Sequence, residues 1–358
     1  MRRRALLCGL AGVGRTECSL RDLAAAKGIR FGSEMLCREL ADAAYADLVR
    51  CQCGIIVPGL EAKWDHVEPT EGDFRFAPLD RLAAFAGDAG LQLRLHTIVW
   101  GLAMPPWLVA ALHEGRGETV LRRHIAAVVG RYRGRASAWD VVNEASDPRW
   151  RRGPEGLTLT PWRTALGPHY VERAFRLAAE ADDRAVLFLN DDDLEYATPD
   201  AEAKRATYLR LLGTWLRRGV PIGGFGLQAH LKPERPLAVD AYRRFLAELA
   251  GMGLVLHVTE LDVHDAALPG DPAARDRAVA DCCRRYLDIA LDEPAVKAVL
   301  TWGLSDRYTY LNTDPAVRRP DGQPARGLPY DADLRAKPMR QALIEAFAHA
   351  PRRTAGPG

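Results

Sequence analysis

Eight short β-rich runs recur along the chain with helix-patterned segments between them, and this alternation constrains the fold more than any other feature. The runs fall near 29–35, 53–58, 91–100, 137–144, 185–191, 223–230, 254–263 and 296–304. Between them apolar residues return at helical spacing, as in 79–89, 171–181, 201–216 and 239–250. Strand and helix alternating eight times predict an α/β chain closed into a parallel (β/α)8 TIM barrel rather than an open doubly wound sheet. Runs such as Leu91-Gln-Leu-Arg-Leu-His-Thr-Ile-Val-Trp100 begin apolar and end polar or aromatic. In a parallel barrel the strand bodies fill the core and their carboxyl-terminal ends carry chemistry, so this gradient points to the site.

No Pro/Gly/Ser linker or charge block divides the 358 residues, so one domain is expected over 19–350, after an extension at 1–18 and before a polar tail at 351–358. Forty-nine basic against forty-seven acidic residues leave no electropositive field for nucleic acid or an anionic membrane. Neither a Gly-x-Gly-x-x-Gly after the first strand nor a Gly-Lys-Ser/Thr is present, so the usual nucleotide-phosphate signatures are missing. No apolar run approaches the roughly 20 residues of a membrane helix. The start, Met1-Arg-Arg-Arg followed by an apolar stretch to Gly14, is shorter than the about 15–30 residues of an export signal and lacks a good cleavage site. Seven cysteines (Cys8, Cys18, Cys37, Cys51, Cys53, Cys282, Cys283) form an odd set without framework spacing, which favours a reducing, cytoplasmic location. Cys51-Gln-Cys53 lacks a second pair or nearby His, so buried free thiols are expected rather than zinc.

Two strand ends carry acids: Trp139-Asp-Val-Val-Asn-Glu144 and His257-Val-Thr-Glu-Leu-Asp262. Two carboxylates facing across a cleft are what glycosidic cleavage needs, one protonating the leaving oxygen while the other attacks the anomeric carbon. Asn143 can hydrogen-bond a sugar 2-hydroxyl in the transition state. Taken singly, each carboxylate is equally well read as a barrel-end ion pair; the joint pattern favours chemistry. His257, Glu260, Asp262 and His264 resemble a metal-ligand cluster, but a continuing strand would split them between two faces. Neither metal nor organic cofactor is expected.

With Lys63-Trp-Asp, Glu68-Pro, Gly72-x-Phe74, His96-Thr-Ile-Val-Trp100, Asn190-Asp191, Gln228-Ala-His230, Thr259-Glu-Leu-Asp262 and Thr301-Trp-Gly303 added, the chain resembles glycoside hydrolase family ten, the endo-β-1,4-xylanases, over about residues 20–348. The resemblance implies Glu144 as general acid/base and Glu260 as nucleophile. It implies that Lys63, His96, Asn143 and Gln228 hold the sugar at the cleavage point and that His230 bonds the nucleophile. Trp302 would form a floor under that sugar and Trp100 a neighbouring wall, with Tyr308 or Tyr310 where a family Trp often closes over substrate. Asp262 would act behind the nucleophile, and His257 and His264 would be surface or packing residues.

Departures fall in the sugar-binding shell. Where the family offers Glu-Asn-Glu before the lysine, this chain has Gly59-Leu60-Glu61; Gly101 replaces a His, and Asp192-Asp193 a Tyr-Asn. Cys282 and Cys283 have Val296 where the family's disulfide partner would fall. Three functions follow: a retaining xylanase-like hydrolase, an intracellular tailoring enzyme reusing the carboxylates on a glycosylated or polyketide-like small molecule, and a catalytically silent sugar-binding protein. All three imply a carbohydrate or glycosylated partner.

Overall fold

The computed structural model describes residues 19–147, 150–268 and 270–353. The expectations for the extension at 1–18, with Cys8 and Cys18, and for the end of the tail at 354–358 lie outside the described residues. The strands are β1 (Arg30–Met35), β2 (Ile55–Pro58), β3 (Gln92–Val99), β4 (Ala138–Asn143), β5 (Val186–Asp191), β6 (Gly224–Leu227), β7 (His230–Leu231), β8 (Val255–Val263) and β9 (Val296–Thr301). All pair in parallel, in the order β6-β5-β4-β3-β2-β1-β9-β8, and a β6–β8 ladder closes the barrel. The eight barrel strands match the eight runs read from the sequence to within a few residues.

The sixth run, expected unbroken over 223–230, is interrupted instead. Ala229 takes a left-handed backbone, φ +63°, so β6 ends at Leu227 and the two-residue β7 pairs separately with the end of β8. The eighth run stops at Thr301 because Gly303 turns with φ +101°.

The helices form where caps and apolar stripes coincide. Thr198 caps Pro199–Arg217 by accepting from the Ala201 amide, with Pro199 at its first turn and Asp200 and Glu202 facing the positive end of its dipole. Asp271 does the same for Pro272–Ala290 through Ala274. Their inner faces pack on strands whose residues are almost all buried. Within the barrel a charged layer lies below the mouth: Arg94 is ion-paired to Asp140 and stands 4.4 Å over the Phe188 ring. Paired this way, the two buried side chains satisfy each other and fix the side chains above them.

Cys37, Cys53, Cys282 and Cys283 are buried free thiols. Cys51, read as a buried free thiol beside Cys53, is instead disulfide-bonded; it sits only half-buried near the end of the helix Ala43–Gln52. No helix among the described residues is long and apolar enough to cross a membrane.

Candidate active site

Glu144 is the first residue past β4. It is held in a left-handed backbone, φ +51°, that no β-carbon residue adopts without about 1–3 kcal/mol of strain. Its amide donates to the Asn190 carbonyl (2.9 Å), which ties the strained turn to β5. Trp100 Nε1 donates to Glu144 Oε2 (2.9 Å), while Gln228 Nε2 (3.1 Å) and Asn143 Nδ2 (3.2 Å) share Oε1. Burial, and then the nearby Asp192 carboxylate, push the Glu144 carboxyl above its ordinary range despite these donors. The shift is toward the protonated acid.

Glu260 comes from the middle of β8 and is held by a different set of groups. Asn190 Nδ2 donates to its Oε1 at 2.7 Å, and His230 Nε2 lies 3.4 Å from its Oε2. Burial pushes this carboxyl up as well, but His96, His230 and the Asn190 bond outweigh it and hold Glu260 below the ordinary range. The two carboxylates are thus driven apart, one toward acid and one toward anion.

Amides join them. Asn143 Oδ1 accepts from Asn190 Nδ2 (2.8 Å) and from Gln228 Nε2 (3.2 Å), and Thr259 Oγ1 fixes Asn190 from behind at 2.8 Å. Each amide has its orientation set by at least two partners, so the path from Glu144 through Gln228, Asn143 and Asn190 to Glu260 is fixed before any substrate arrives.

His230 Nδ1 lies 3.0 Å from Asp262 Oδ1. Burial alone would lower its pKa, yet Asp262 and Glu260 raise it well above the ordinary imidazole value, so it stands as a cation beside the nucleophile candidate. Asp262 is in turn held down to about 2, burial being overcome by His230 and His264. His96 points Nδ1 at Asp140 (3.1 Å) and packs edge-on to Trp302 at 5.4 Å, and its charge acts on Glu260.

Lys63 Nζ stands 5.0 Å from the Trp100 ring and 5.7 Å from the Trp302 ring. Among the described residues its ammonium donates no hydrogen bond, although Lys63 is buried. Burial pulls its pKa down, with Glu260 and Glu34 pushing back. The segment behind it is firmly placed: Trp64 stacks on His124 at 3.5 Å, and Glu68 accepts from His124 (2.8 Å) and the Gly72 amide (2.9 Å). The Glu68 and Gly72 motif positions therefore brace the site without entering it.

The structure thus brings together Lys63, His96, Trp100, Asn143, Glu144, Gln228, His230, Glu260 and Trp302 at the carboxyl-terminal mouth. It does not bring in Tyr308, whose hydroxyl donates to Asp42 (3.0 Å) and whose ring packs edge-on against Tyr45 at 4.9 Å. Tyr310 takes that place, its hydroxyl 3.3 Å from His230 Nδ1 and 3.0 Å from His264 Nε2. The two tyrosines diverge because one 3-10 turn ends at Tyr308 and another starts at Tyr310, which sequence periodicity does not reveal. His264, expected at the surface or in packing, belongs to this polar group. His257 packs against Phe188 at 4.5 Å and meets Arg94 at 2.9 Å, in the charged layer below the mouth. His257 is parted from the rest of the expected metal cluster by its depth in the barrel, below a register shift in β8, and not by facing the opposite side of the strand. The groups that could still hold a cation are His230, Asp262 and His264, with ligand atoms within 4.8 Å of one another.

Sequence reasoning missed Asn190, Asp140 and Lys204 as site residues. Asn190 and Asp140 are strand-borne polar residues inside recognised motifs and could have been found from that. Lys204 lies on the helix Pro199–Arg217 and is fully buried, its Nζ 2.5 Å from Asp191 and 2.6 Å from Asp192. Nothing local in the sequence marks it. Gly101 is also explained: a β-carbon there would come 2.9 Å from the Thr160 methyl, so the loop after β4 fills the space that a side chain would need.

A closed (β/α)8 barrel with two unlike carboxylates at its carboxyl mouth is the arrangement of a glycoside hydrolase. The model for glycosyl hydrolase family 10 matches residues 19–346, and the chain belongs to that family. Endo-1,4-beta-xylanase B of Thermotoga neapolitana is 32% identical over 305 residues, covering 84% of this chain and 82% of its own. Among solved structures, native xylanase 10B from Thermotoga maritima superposes with a TM-score of 0.82 at 31% identity, covering 92% of this chain and 98% of its own. Xylanase 10B from Thermotoga petrophila RKU-1 in complex with xylobiose gives 0.83 at 29% identity, over 94% and 99%.

Proposed function

We propose that the chain is a retaining β-glycosidase acting on β-1,4-linked xylose units. The observation that carries this is the amide ladder between two carboxylates of opposite protonation tendency. Protonated Glu144 donates to the leaving glycosidic oxygen while ionised Glu260 attacks the anomeric carbon, forming a glycosyl ester. Water then enters on the vacated side and Glu144, now a carboxylate, takes its proton as the ester bond breaks. Asn143 and Gln228 reach sugar hydroxyls from the ladder, Lys63 and His96 from the opposite wall, and Trp302 offers an indole face to the ring. The test is proton NMR of aryl β-xylobioside and xylan digests. β-Configured product at first turnover is expected, and α-configured product would overturn the double displacement.

One feature supports a second reading, a tailoring hydrolase or transferase for a glycosylated small molecule with an apolar aglycone. Among the described residues, three of the four large exposed apolar side chains, Leu102, Trp150 and Leu159, lie on the loops after β3 and β4, the loops that begin with Trp100 and Glu144. Faster turnover of bulky aryl or polyketide-like glycosides than of xylo-oligosaccharides would favour it. The silent binding protein gains no such support, since both carboxylates keep their partners. For location, the expected cytoplasm rests on the buried free thiols, and the disulfide at Cys51 weighs against it; cell fractionation decides.

A further inference from the structure

Across the mouth from the amide ladder, β1 carries an acid that belongs to none of the motifs. Glu34 pairs in register with Val57 of β2, and only 7% of it is exposed. Among the described residues its carboxyl makes no hydrogen bond and no close ion pair. Neither oxygen is among the fully enclosed unpaired polar atoms of the described residues, so this is a carboxyl open toward solvent for which the protein supplies no partner. Where one lines a cleft, a ligand is the natural partner.

Its neighbours fix where it points. A β-carbon on Gly59 would stand 2.0 Å from Glu34 Oε1, and one on Gly303 would stand 4.0 Å from Oε2. Gly303 follows the floor residue Trp302, and Gly59 begins the stretch where the acid and amide of the resembling family are missing. Lys63 is under the influence of Glu260, Glu34 and Glu144 together. The other acids of this corner are already committed to the backbone: Glu39 Oε2 accepts from the Leu36 amide (2.9 Å), and Glu61 Oε1 from the Cys37 amide (2.6 Å). Glu34 alone is left free. Burial, then Glu39 and Glu61, push its carboxyl well above the ordinary range, which gives it a proton to donate as well as oxygens that accept.

We propose that Glu34 is a sugar-binding carboxyl supplied from β1 in place of one on β2: it fills the space left at Gly59 and, with Lys63, bonds hydroxyls of the sugar next to the one at Glu260. A side chain at 59 would push the Glu34 side chain out of its present place, so Gly59 gives that carboxyl its room. β1 is separated from β4, and so from Glu144, by β2 and β3, which puts Glu34 on the side of the sugar retained by the enzyme rather than the leaving side. This assignment rests on the xylose-directed reading above.

The test compares kcat/KM for aryl β-xylobioside and aryl β-xyloside in the whole chain and in Glu34→Leu, Glu34→Ala and Glu34→Gln, with thermal melts of each. Glu34→Leu and Glu34→Ala are expected to lose at least tenfold more on the xylobioside than on the xyloside, mainly through KM. Glu34→Gln, which keeps hydrogen-bonding atoms, should hold that ratio within threefold of the parent. Glu34→Leu should melt no lower than the parent, because it removes a largely buried group that has no protein partner. Equal losses on both substrates, or a lower melt with an unchanged ratio, would overturn the assignment and leave the xylose reading standing. A parent chain that turns over neither xyloside overturns the xylose reading first, and the sugar at Glu34 with it.

Discussion

The two walls of the barrel mouth are built in opposite ways. Along β4, β5, β6 and β8, Glu144, Asn143, Asn190, Gln228 and Glu260 hydrogen-bond one another, so the reacting groups are aimed by the protein alone. On the β1–β2 side, Lys63 and Glu34 are largely buried, yet their ammonium and carboxyl reach solvent at the mouth and make no hydrogen bond among the described residues. The first wall has its alignment settled at folding, which lowers what must be ordered in the transition state. The second leaves polar groups without a protein partner until hydroxyls arrive, so its interactions appear only with a ligand. On the function proposed above, chemistry falls to the first wall and substrate choice to the second. The departures from the resembling family, Gly59 and Leu60, accordingly lie on the second.

Changes to the first wall should cost far more than changes to the second. Glu260→Gln should lower kcat on an aryl xylobioside by about 10⁴-fold or more, measured by release of the aryl group. Glu144→Gln should lower kcat/KM by about 10²–10⁴-fold, with the smaller losses on the most acidic leaving groups, which need least protonation. A variant of either with near-parental turnover would remove the distinction between the walls.

Behind the first wall, Lys204→Met removes the ammonium that pairs with the buried Asp191 and with Asp192. It should cost about 3–5 kcal/mol of stability by denaturant titration. Asp192→Asn is a smaller change with a defined sign. Burial and then Asp192 raise Glu144, so removing the Asp192 charge lowers the Glu144 pKa. Activity needs Glu144 protonated and is lost as pH rises through that pKa, so the alkaline limb of kcat/KM should move to lower pH. The acid limb, set by Glu260, should stay below 4.5. Least of all, Tyr308→Phe, which loses only the bond to Asp42, should change kcat/KM less than threefold.

Much of this was readable from the sequence because strands in a parallel barrel carry their own signal. Apolar runs ending in Asn-Glu or Thr-Glu mark both the core and the catalytic rim, so the barrel, Glu144 and Glu260 could be read directly. What escaped depends on tertiary approach. The break at Ala229 is a backbone conformation with no compositional mark. The reach of Lys204 from a helix to two strand-end acids spans no local pattern. Choosing Tyr310 over Tyr308 needs the path of an irregular loop. Glu34 escaped because its meaning comes from Gly59, 25 positions away, and only the folded register places one against the other.

The central claim is that Glu260, ionised and aimed by Asn190 and His230, is the group that bonds to the sugar. Incubation with a 2-deoxy-2-fluoro aryl xylobioside, followed by proteolysis and peptide mass mapping, tests it most directly. The account predicts one added fluorosugar per chain, on the peptide and side chain of Glu260. An adduct on any other residue, or rapid turnover of ordinary aryl xylobioside by chains that never accumulate one, would contradict it.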